Sequence, residues 1–394
     1  MYKKFMLTLF LMLLIVIPFS DSVADSNSLR GHWPTDGWQT STPTEQNMDS
    51  AKLEAMINYI EEQQFAIDSI LVIRNGYIVE EKYLSTQNDT PHQIYSCTKS
   101  IISALIGIAI REGYIDSVDQ KVVNFFPERN ISNLDSRKQA MSLEHLLSMT
   151  TGLEWNELNI PYSSQNSVYQ LRRSNNWVQF ILDRSMVAEP GTTWTYNSGA
   201  SHLLSAIIAQ TTGNSTLAFA QKHLFEPLGI SNVHWSTDPQ GIFLGGSSIR
   251  LTTRDMAKFG YLYLNNGTWN GEQTVPAEWT NKSTRKFISL SEYTDYGYQW
   301  WIFPQLDVYS AIGYGGQWIV VIPKYDIVVV FTASMGEDDL PFYDLISDYI
   351  IPAVEYIPTS YPIALLFPGL LVIVCWRKKV SKRSYRSTGY SQQT

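Results

Sequence analysis

Residues 96–110 read SCTKSIISALIGIAI, a serine and a lysine followed by a run of apolar residues. Between Ile101 and Ile110 the apolar side chains fall on every face of a helix, and such a helix is buried on all sides. Residues three positions apart share a helix face, so Lys99 can place its amine beside the Ser96 hydroxyl at the helix N-terminus. Burial next to the isoleucines would disfavour the ammonium, and Lys99 could then accept a proton.

The Ser-x-x-Lys spacing is weak by itself, because composition alone should produce it about twice in a chain of this length. A second match runs from Ser283 to Lys286, in a polar stretch that reads as a loop. For the first match a structural interpretation is also open, in which Ser96 only caps the helix and Lys99 extends its amine from the core to solvent. The spacing alone does not decide between catalysis and structure.

Strand patterns lie on both sides of this helix along the chain. The runs 69–73 and 77–84 are rich in β-formers and are joined by a turn at 74–76, which is a hairpin signal. Helical patterns follow at 143–149, 177–182, 203–211, 217–225 and 256–264, and strand-like runs return at 298–303, 308–312, 318–322 and 327–332. This order predicts an α+β fold: one antiparallel β-sheet built from both ends of the chain, flanked by helices, with an inserted mainly helical subdomain at about 120–265.

The composition excludes several classes of protein. The 394 residues are 44% hydrophobic and 17% charged, which indicates one large or two fused globular domains rather than a disordered chain. The net charge is −8 and no basic stripe with interleaved aromatic residues occurs, so nucleic acid is not an expected partner. The histidines and cysteines form no metal-binding spacing, and no dinucleotide fingerprint, phosphate-binding loop or Gly-x-Ser-x-Gly elbow occurs. We therefore expect neither a metal nor another cofactor.

Both ends of the chain carry features of an exported, membrane-attached protein. Residues 1–24 combine a basic start, an apolar stretch and a small-residue cleavage site, as a secretory signal does; a retained N-terminal anchor is the alternative. Residues 361–376 are apolar and run into a basic tail at 377–394, the pattern of a transmembrane segment with its positive charge in the cytoplasm. A buried terminal helix or a cleaved sorting tail would read similarly. We expect residues 25–355 to form the catalytic body outside the cytoplasm.

Two further stretches could carry chemistry. In residues 189–199, EPGTTWTYNSG, Tyr196 follows a Pro-Gly turn and directly precedes a predicted helix. A lysine ammonium close to Tyr196 would favour its phenolate form, which suits proton transfer. The alternative is a packed tyrosine with a solvated hydroxyl. Residues 313–317, GYGGQ, open an apolar strand, where the glycines would permit close approach of a ligand or would mark only a bulge.

In this order, the three elements resemble the serine β-lactamase and penicillin-recognising family, above all the class C β-lactamase-like hydrolases that include esterases and 6-aminohexanoate-dimer hydrolases. The resemblance covers about residues 30–350, with further family-like stretches at 143–153, 194–213, 225–229, 251–267 and 296–301. It implies that Ser96 is the acylated nucleophile, Lys99 its base partner and Tyr196 the second proton-transfer residue.

The resemblance also implies a set of substrate-binding residues, namely Ser198, Tyr314, Gly316 and Gln317. The backbone N–H groups of Gln317 and Ser96 would form the oxyanion hole, since such donors do not depend on side-chain identity.

Two departures from the family pattern bear on substrate choice. Ser198 stands where the family usually has Asn, and the literal Tyr-x-Asn at 263–265 lacks the Pro-Gly lead. Tyr314 stands where the family usually has Lys or His, and the Lys-x-Gly at 258–260 falls in a helical run. Tyr314 offers no cation to a carboxylate, so we expect short acyl esters or small amides to be better substrates than carboxylate-bearing β-lactams.

These features together predict an exported, membrane-anchored serine hydrolase that cleaves an ester or amide, with β-lactams and peptides among the candidates, through an acyl-enzyme on Ser96. The alternative is a penicillin-binding-like sensor or inactive binding protein that does not turn over. The sequence indicates neither the natural substrate nor the oligomeric state.

Overall fold

The computed structural model describes residues 32–86, 90–158, 160–336 and 341–355. The predicted signal at 1–24, transmembrane segment at 361–376 and basic tail at 377–394 lie outside these ranges and stay predictions. Within the described ranges, no helix is both long enough and apolar enough to cross a membrane.

Eight strands form one antiparallel sheet in the order β2-β1-β12-β11-β10-β9-β8-β7, and two pairs of short strands lie apart from it. The strands are β1 (Ile67–Arg74), β2 (Tyr77–Tyr83), β3 (His92–Gln93), β4 (Arg250–Leu251), β5 (Thr268–Trp269), β6 (Glu272–Gln273), β7 (Ile288–Ser289), β8 (Asp295–Tyr296), β9 (Trp301–Phe303), β10 (Val308–Gly313), β11 (Gln317–Ile322) and β12 (Ile327–Ala333). Because β1 pairs with β12, the sheet joins both ends of the chain, and the predicted α+β fold is confirmed.

The first hairpin forms where the sequence predicts it. Asn75 and Gly76 join β1 to β2 with φ angles of 52° and 85°. Two successive positive φ angles are what the commonest two-residue hairpin turn requires, and Asn-Gly adopts them at low cost.

Twelve α-helices surround the sheet in the described part of the chain. They are α1 (Ser50–Glu62), α2 (Cys97–Arg111), α3 (Ser136–Ala140), α4 (Leu143–Leu147), α5 (Ser167–Arg173), α6 (Trp177–Leu182), α7 (Ser198–Thr212), α8 (Thr216–Ala220), α9 (Thr253–Leu264), α10 (Ala277–Ser283), α11 (Phe342–Leu345) and α12 (Ile351–Val354). Every residue of α2 from Cys97 to Ala109 is buried, as its all-round apolar pattern predicts. This helix packs against α7, α10, β10 and β11, and so joins the helices to the sheet.

Helix α9, the last helical run of the predicted insertion, lies on the sheet against β1, β11 and β12. Gly260 permits this contact, because a Cβ there would lie 2.7 Å from Val328 Cγ1 and 2.8 Å from Ile319 Cγ2. Helices α4 and α6 pack mainly on α7.

The prediction of a strand over 298–303 is wrong at its start, because β9 begins only at Trp301. Gln299 lies just before it with a φ of 65°, a left-handed conformation that does not fit a strand. Strands β7 and β8 were not predicted, since two-residue strands are too short to show an alternating pattern.

Gln299 forms hydrogen bonds with residues of three helices. Its side-chain amide donates hydrogen bonds to the carbonyl oxygens of Leu146 and Leu147, at 3.1 and 2.8 Å, and accepts one from Ser201 Oγ at 2.7 Å. The main-chain carbonyl oxygen of Gln299 accepts a 2.7 Å hydrogen bond from Ser100 Oγ. These bonds connect α4, α7 and α2, which carry or flank the candidate catalytic residues.

Candidate active site

Ser96 occupies the N-cap position of α2, yet its side chain makes no capping hydrogen bond. The preceding Tyr95 has a φ of 44°, an uncommon conformation for a residue other than glycine. Lys99 is only 2% exposed, so its amine does not reach solvent. The structural interpretation, in which Ser96 caps the helix and Lys99 extends from the core, is therefore wrong.

The Lys99 amine contacts three oxygen atoms. Its Nζ lies 2.8 Å from Ser96 Oγ, 3.0 Å from Ser198 Oγ and 2.8 Å from the carbonyl oxygen of Gly246. The Gly246 carbonyl can only accept, and Ser198 Oγ gives its own hydrogen to Glu157 at 2.5 Å, so it too must accept from Lys99. A neutral amine has two hydrogens and one lone pair, which leaves the lone pair for the Ser96 hydroxyl.

Burial shifts the ionisation of Lys99. Desolvation lowers the pKa of Lys99 to about 8, and the negative charge of Glu157 partly opposes this shift. The expectation that burial would disfavour the ammonium is confirmed. A neutral Lys99 is thus accessible near physiological pH.

Glu157 is part of this constellation although no sequence motif marks it. Its Oε1 accepts the bond from Ser198 Oγ, while Oε2 accepts from the Ser198 backbone N–H at 2.7 Å and from Trp155 Nε1 at 2.8 Å. Three donors therefore hold the carboxylate in place. The only local sign in the sequence is Trp155, whose indole N–H needs an acceptor.

Tyr196 lies beside Lys99, with the Lys99 Nζ 4.7 Å from its ring centroid. The ring is buried among other aromatic side chains, 5.9 Å from Trp301 and 6.1 Å from Trp194 between centroids. Burial, with smaller effects of Tyr296 and Glu157, raises the pKa of Tyr196 well above its usual value. The expectation that Lys99 would favour the phenolate is therefore wrong, since desolvation outweighs it.

The third motif lies in the turn between β10 and β11. Gly316 has a φ of 94°, and a Cβ there would lie 2.8 Å from both Ala333 Cβ and Phe342 Cζ, so packing alone requires a glycine. The Gln317 side chain is buried, and its amide nitrogen donates to the Ala333 carbonyl at 2.5 Å, while its amide oxygen has no hydrogen-bond partner among the described residues. Tyr314 is 53% exposed and meets Tyr95 edge-on at 5.4 Å.

A cavity of about 110 Å³ joins part of the predicted set. Its described lining includes Ser96, Ser198 and Tyr314 but not Gly316 or Gln317. A larger cavity of about 370 Å³, lined in part by Glu144, Lys282 and Tyr298, has no serine in its described lining. The smaller cavity is the better candidate, because it exposes the hydroxyl that faces a buried amine.

The second Ser-x-x-Lys match has different surroundings. The polar context of Ser283 predicts a loop, and this prediction is wrong. Ser283 is the buried last residue of α10, and its Oγ donates to the Thr280 carbonyl at 3.2 Å. The other Lys-x-Gly lies in α9, where Lys258 Nζ donates to the Gly229 carbonyl at 3.0 Å.

The chain is similar in sequence to one protein family and to a hydrolase of known name. Residues 53–344 match the family model described as Beta-lactamase. The 6-aminohexanoate-dimer hydrolase of Paenarthrobacter ureafaciens is 24% identical over 302 residues, which cover 70% of this chain and 75% of that protein.

Solved structures share the fold. A putative 6-aminohexanoate-dimer hydrolase from Bacillus anthracis superposes with a TM-score of 0.66 at 24% identity, covering 76% of this chain and 81% of its own. A family VIII carboxylesterase superposes with a TM-score of 0.63 at 15% identity, covering 79% and 98%.

Proposed function

The chain belongs to the beta-lactamase family, and from this premise we propose that it is a serine hydrolase that cleaves an ester or amide through an acyl-enzyme on Ser96. One observation carries the proposal: Lys99 Nζ lies 2.8 Å from Ser96 Oγ and also contacts Ser198 Oγ and the Gly246 carbonyl. Because Ser198 and Gly246 both accept from this amine, a neutral Lys99 keeps its lone pair for the Ser96 proton. A nucleophile in contact with a buried base is the arrangement that acyl transfer needs. The relatives named 6-aminohexanoate-dimer hydrolase and family VIII carboxylesterase support this substrate class.

Acylation begins when Lys99 Nζ takes the proton of Ser96 Oγ while this oxygen attacks the carbonyl carbon of the substrate. The carbonyl oxygen becomes an oxyanion, which the backbone N–H groups of Ser96 and Gln317 stabilise. Lys99 is then an ammonium, and Glu157 stabilises this charge at short range because it contacts Ser198, the hydrogen-bond partner of Lys99.

The leaving group departs with a proton supplied through Tyr196. The raised pKa of Tyr196 keeps its phenol protonated, so it acts as a neutral relay that gives its proton to the leaving oxygen or nitrogen and takes one from Lys99. A water then attacks the acyl carbon, Lys99 accepts its proton, and Ser96 recovers that proton as the acid product leaves.

Labelling and turnover together test this proposal. We expect a fluorophosphonate probe to form one adduct on the full chain, located on Ser96 by mass spectrometry, and a short-chain nitrophenyl ester to be hydrolysed over many turnovers. An adduct on another residue contradicts the assignment of the nucleophile. Labelling of Ser96 with a single burst and no turnover would identify the penicillin-binding-like sensor instead.

Replacing Glu157 by Gln should move the pH profile of catalysis. The negative charge of Glu157 raises the pKa of Lys99, so its removal lowers that pKa and keeps the amine neutral to lower pH. We expect the acid limb of kcat/KM for a nitrophenyl ester to shift to lower pH in Glu157→Gln.

Glu154→Gln is the matched control, because Glu154 is exposed and pairs with Arg184 at 3.5 Å. Its profile should superimpose on that of the wild-type chain. An unmoved limb in Glu157→Gln, or an equal shift in both variants, would show that Glu157 does not act on Lys99.

The uncharged side chain of Tyr314 in the third motif should make neutral esters better substrates than carboxylate-bearing β-lactams. Its phenol has no charge for a β-lactam carboxylate, so kcat/KM should be higher for a short-chain nitrophenyl ester than for a chromogenic cephalosporin. The Tyr314→Lys variant should shift this ratio toward the cephalosporin by about tenfold. A wild-type preference for the cephalosporin contradicts this interpretation.

We also propose that the catalytic body lies outside the cytoplasm, attached to the membrane by residues 361–376 with the basic tail at 377–394 inside. The support is the sequence pattern alone. Protease added to intact cells should digest the body and spare an epitope placed at Thr394. A body that is protected until the cells are lysed would refute this topology.

A further inference from the structure

One wall of the 110 Å³ cavity carries an isolated positive charge. Helices α5, α6 and α7 supply this wall, which includes Leu171, Arg172, Trp177 and His202. Arg172 is the only Arg, Lys, Asp or Glu among the described residues that line the cavity. An unneutralised cation in the cavity of a chain with a net charge of −8 favours an anionic ligand.

The Arg172 guanidinium has no ion pair or hydrogen bond with any described residue. The guanidinium lies over the ring of Tyr162, whose centroid is 5.7 Å from Arg172 Cζ. A cation–π contact of this kind positions the guanidinium plane and leaves its N–H groups for a ligand. The adjacent Arg173 is occupied, since its Nη1 donates to the Tyr169 hydroxyl at 2.5 Å and its Cζ lies 4.8 Å from the same ring.

Two buried ring nitrogens on this wall lack a hydrogen-bond partner in the described part of the chain, namely Trp177 Nε1 and His202 Nδ1. The other nitrogen of His202 lies 3.1 Å from Asp238 Oδ2, and Trp177 meets the imidazole edge-on at 5.3 Å. An indole N–H can only donate, so Trp177 needs an acceptor. A carboxylate oxygen is an acceptor of the kind that this N–H and the guanidinium both require.

The proposed mechanism places the leaving group beside Tyr196, which hydrogen-bonds the Ser96 side chain and is not among the described residues that line the cavity. Arg172 does line the cavity, so its side of the cavity is assigned to the acyl chain.

From this arrangement we propose that Arg172 binds a carboxylate on the acyl chain, and that the preferred substrates are half-esters or half-amides of dicarboxylic acids. The inference rests on the proposed function. It is compatible with the uncharged third motif, although Arg172 and Tyr314 line the same cavity, because a β-lactam carries its carboxylate on the leaving-nitrogen side and the proposed substrates carry theirs on the acyl chain. Arg172 would therefore act as a specificity-determining residue.

Two esters of equal chain length test the proposal on the full-length chain: mono-4-nitrophenyl adipate, which is anionic, and 4-nitrophenyl hexanoate, which is neutral. We expect wild-type kcat/KM to favour the adipate, and we expect added salt to reduce this preference. Arg172→Gln should lower the ratio of the two kcat/KM values by about tenfold, as loss of one charge-assisted hydrogen bond does. Arg172→Lys should retain part of the preference.

Arg173→Gln is the matched control, since it removes the positive charge of the next residue of α5, which is also exposed but does not belong to the described lining of the cavity, and it should leave the ratio unchanged. Equal ratios for wild type and Arg172→Gln, or equal losses in both variants, would overturn the proposal. Calorimetric titration of the Ser96→Ala chain with monomethyl adipate and with methyl hexanoate separates recognition from turnover. If neither nitrophenyl ester is hydrolysed but the adipate still binds more tightly, the proposed function fails and the carboxylate site stands.

Discussion

Ser96→Ala is expected to lower kcat/KM for a short-chain nitrophenyl ester by at least about 10⁴-fold, because loss of a nucleophile that acts in concert with its base removes the covalent route. The fold should not change, since the Ser96 hydroxyl makes no helix-capping bond and its removal leaves Lys99 with two oxygen partners. Thermal unfolding followed by circular dichroism checks this second expectation.

Ser283→Ala is the control for the same Ser-x-x-Lys spacing in different surroundings. Its hydroxyl is buried at the end of α10, donates to the Thr280 carbonyl of its own helix and lies outside the described lining of the candidate cavity, so the variant should keep wild-type activity. If Ser96→Ala retains most of the activity, or if Ser283→Ala loses it, Ser96 is not the nucleophile.

Local sequence patterns were sufficient for the scaffold of the site. The apolar run after Ser96 repeats on every helix face, and this periodicity depends only on neighbouring residues, so the burial of α2 could be predicted. The Asn75-Gly76 turn is a local signal too. The pairing of β1 with β12 joins distant parts of the chain, so no local pattern shows it. Only the order of the predicted elements indicated a sheet built from both ends.

The contributions of Gly246 and Glu157 to the surroundings of Lys99 could not be predicted, because the fold brings these residues from distant parts of the chain. Gly246 is 147 positions from Lys99, and Glu157 is 41 positions from the serine that links it to Lys99. Gly246 contributes a carbonyl oxygen, which every residue type has, so its identity carries no signal. Nothing in the sequence distinguishes Glu157 from the other acidic residues, and only the fold shows that it contacts Ser198.

Tyr196 shows a different limit of sequence reasoning. Its proximity to Lys99 was predicted correctly, but the effect on its ionisation had the wrong sign. Trp194 and Trp301 lie against the ring, the packing removes it from water, and this burial dominates the pKa of Tyr196. A charge near a titratable group can be predicted from a motif, whereas desolvation depends on the whole packing around it.

Lys99→Met is expected to lower kcat/KM by about 10³-fold, within the usual contribution of a general base. Methionine has a similar length and no charge, so the buried site should accept it without a cavity. In the wild type, burial lowers the pKa of Lys99 to about 8, and below this pH the ammonium has no lone pair for the Ser96 proton. Activity should therefore rise with pH through about 8, and at pH 7 about one chain in ten carries the neutral base.

The pH profile separates loss of the base from general damage to the site. In Lys99→Met the residual activity should not show the limb near pH 8, because the group that titrates there is gone. Lys258→Met is the matched control: Lys258 is also a buried lysine, but its Nζ donates to the carbonyls of Thr35 and Gly229, so its loss should reduce stability and leave the limb in place. A limb that persists in Lys99→Met, or disappears in Lys258→Met, would assign the titrating group to a residue other than Lys99, and the lone pair facing Ser96 would then have no role in the proton transfer.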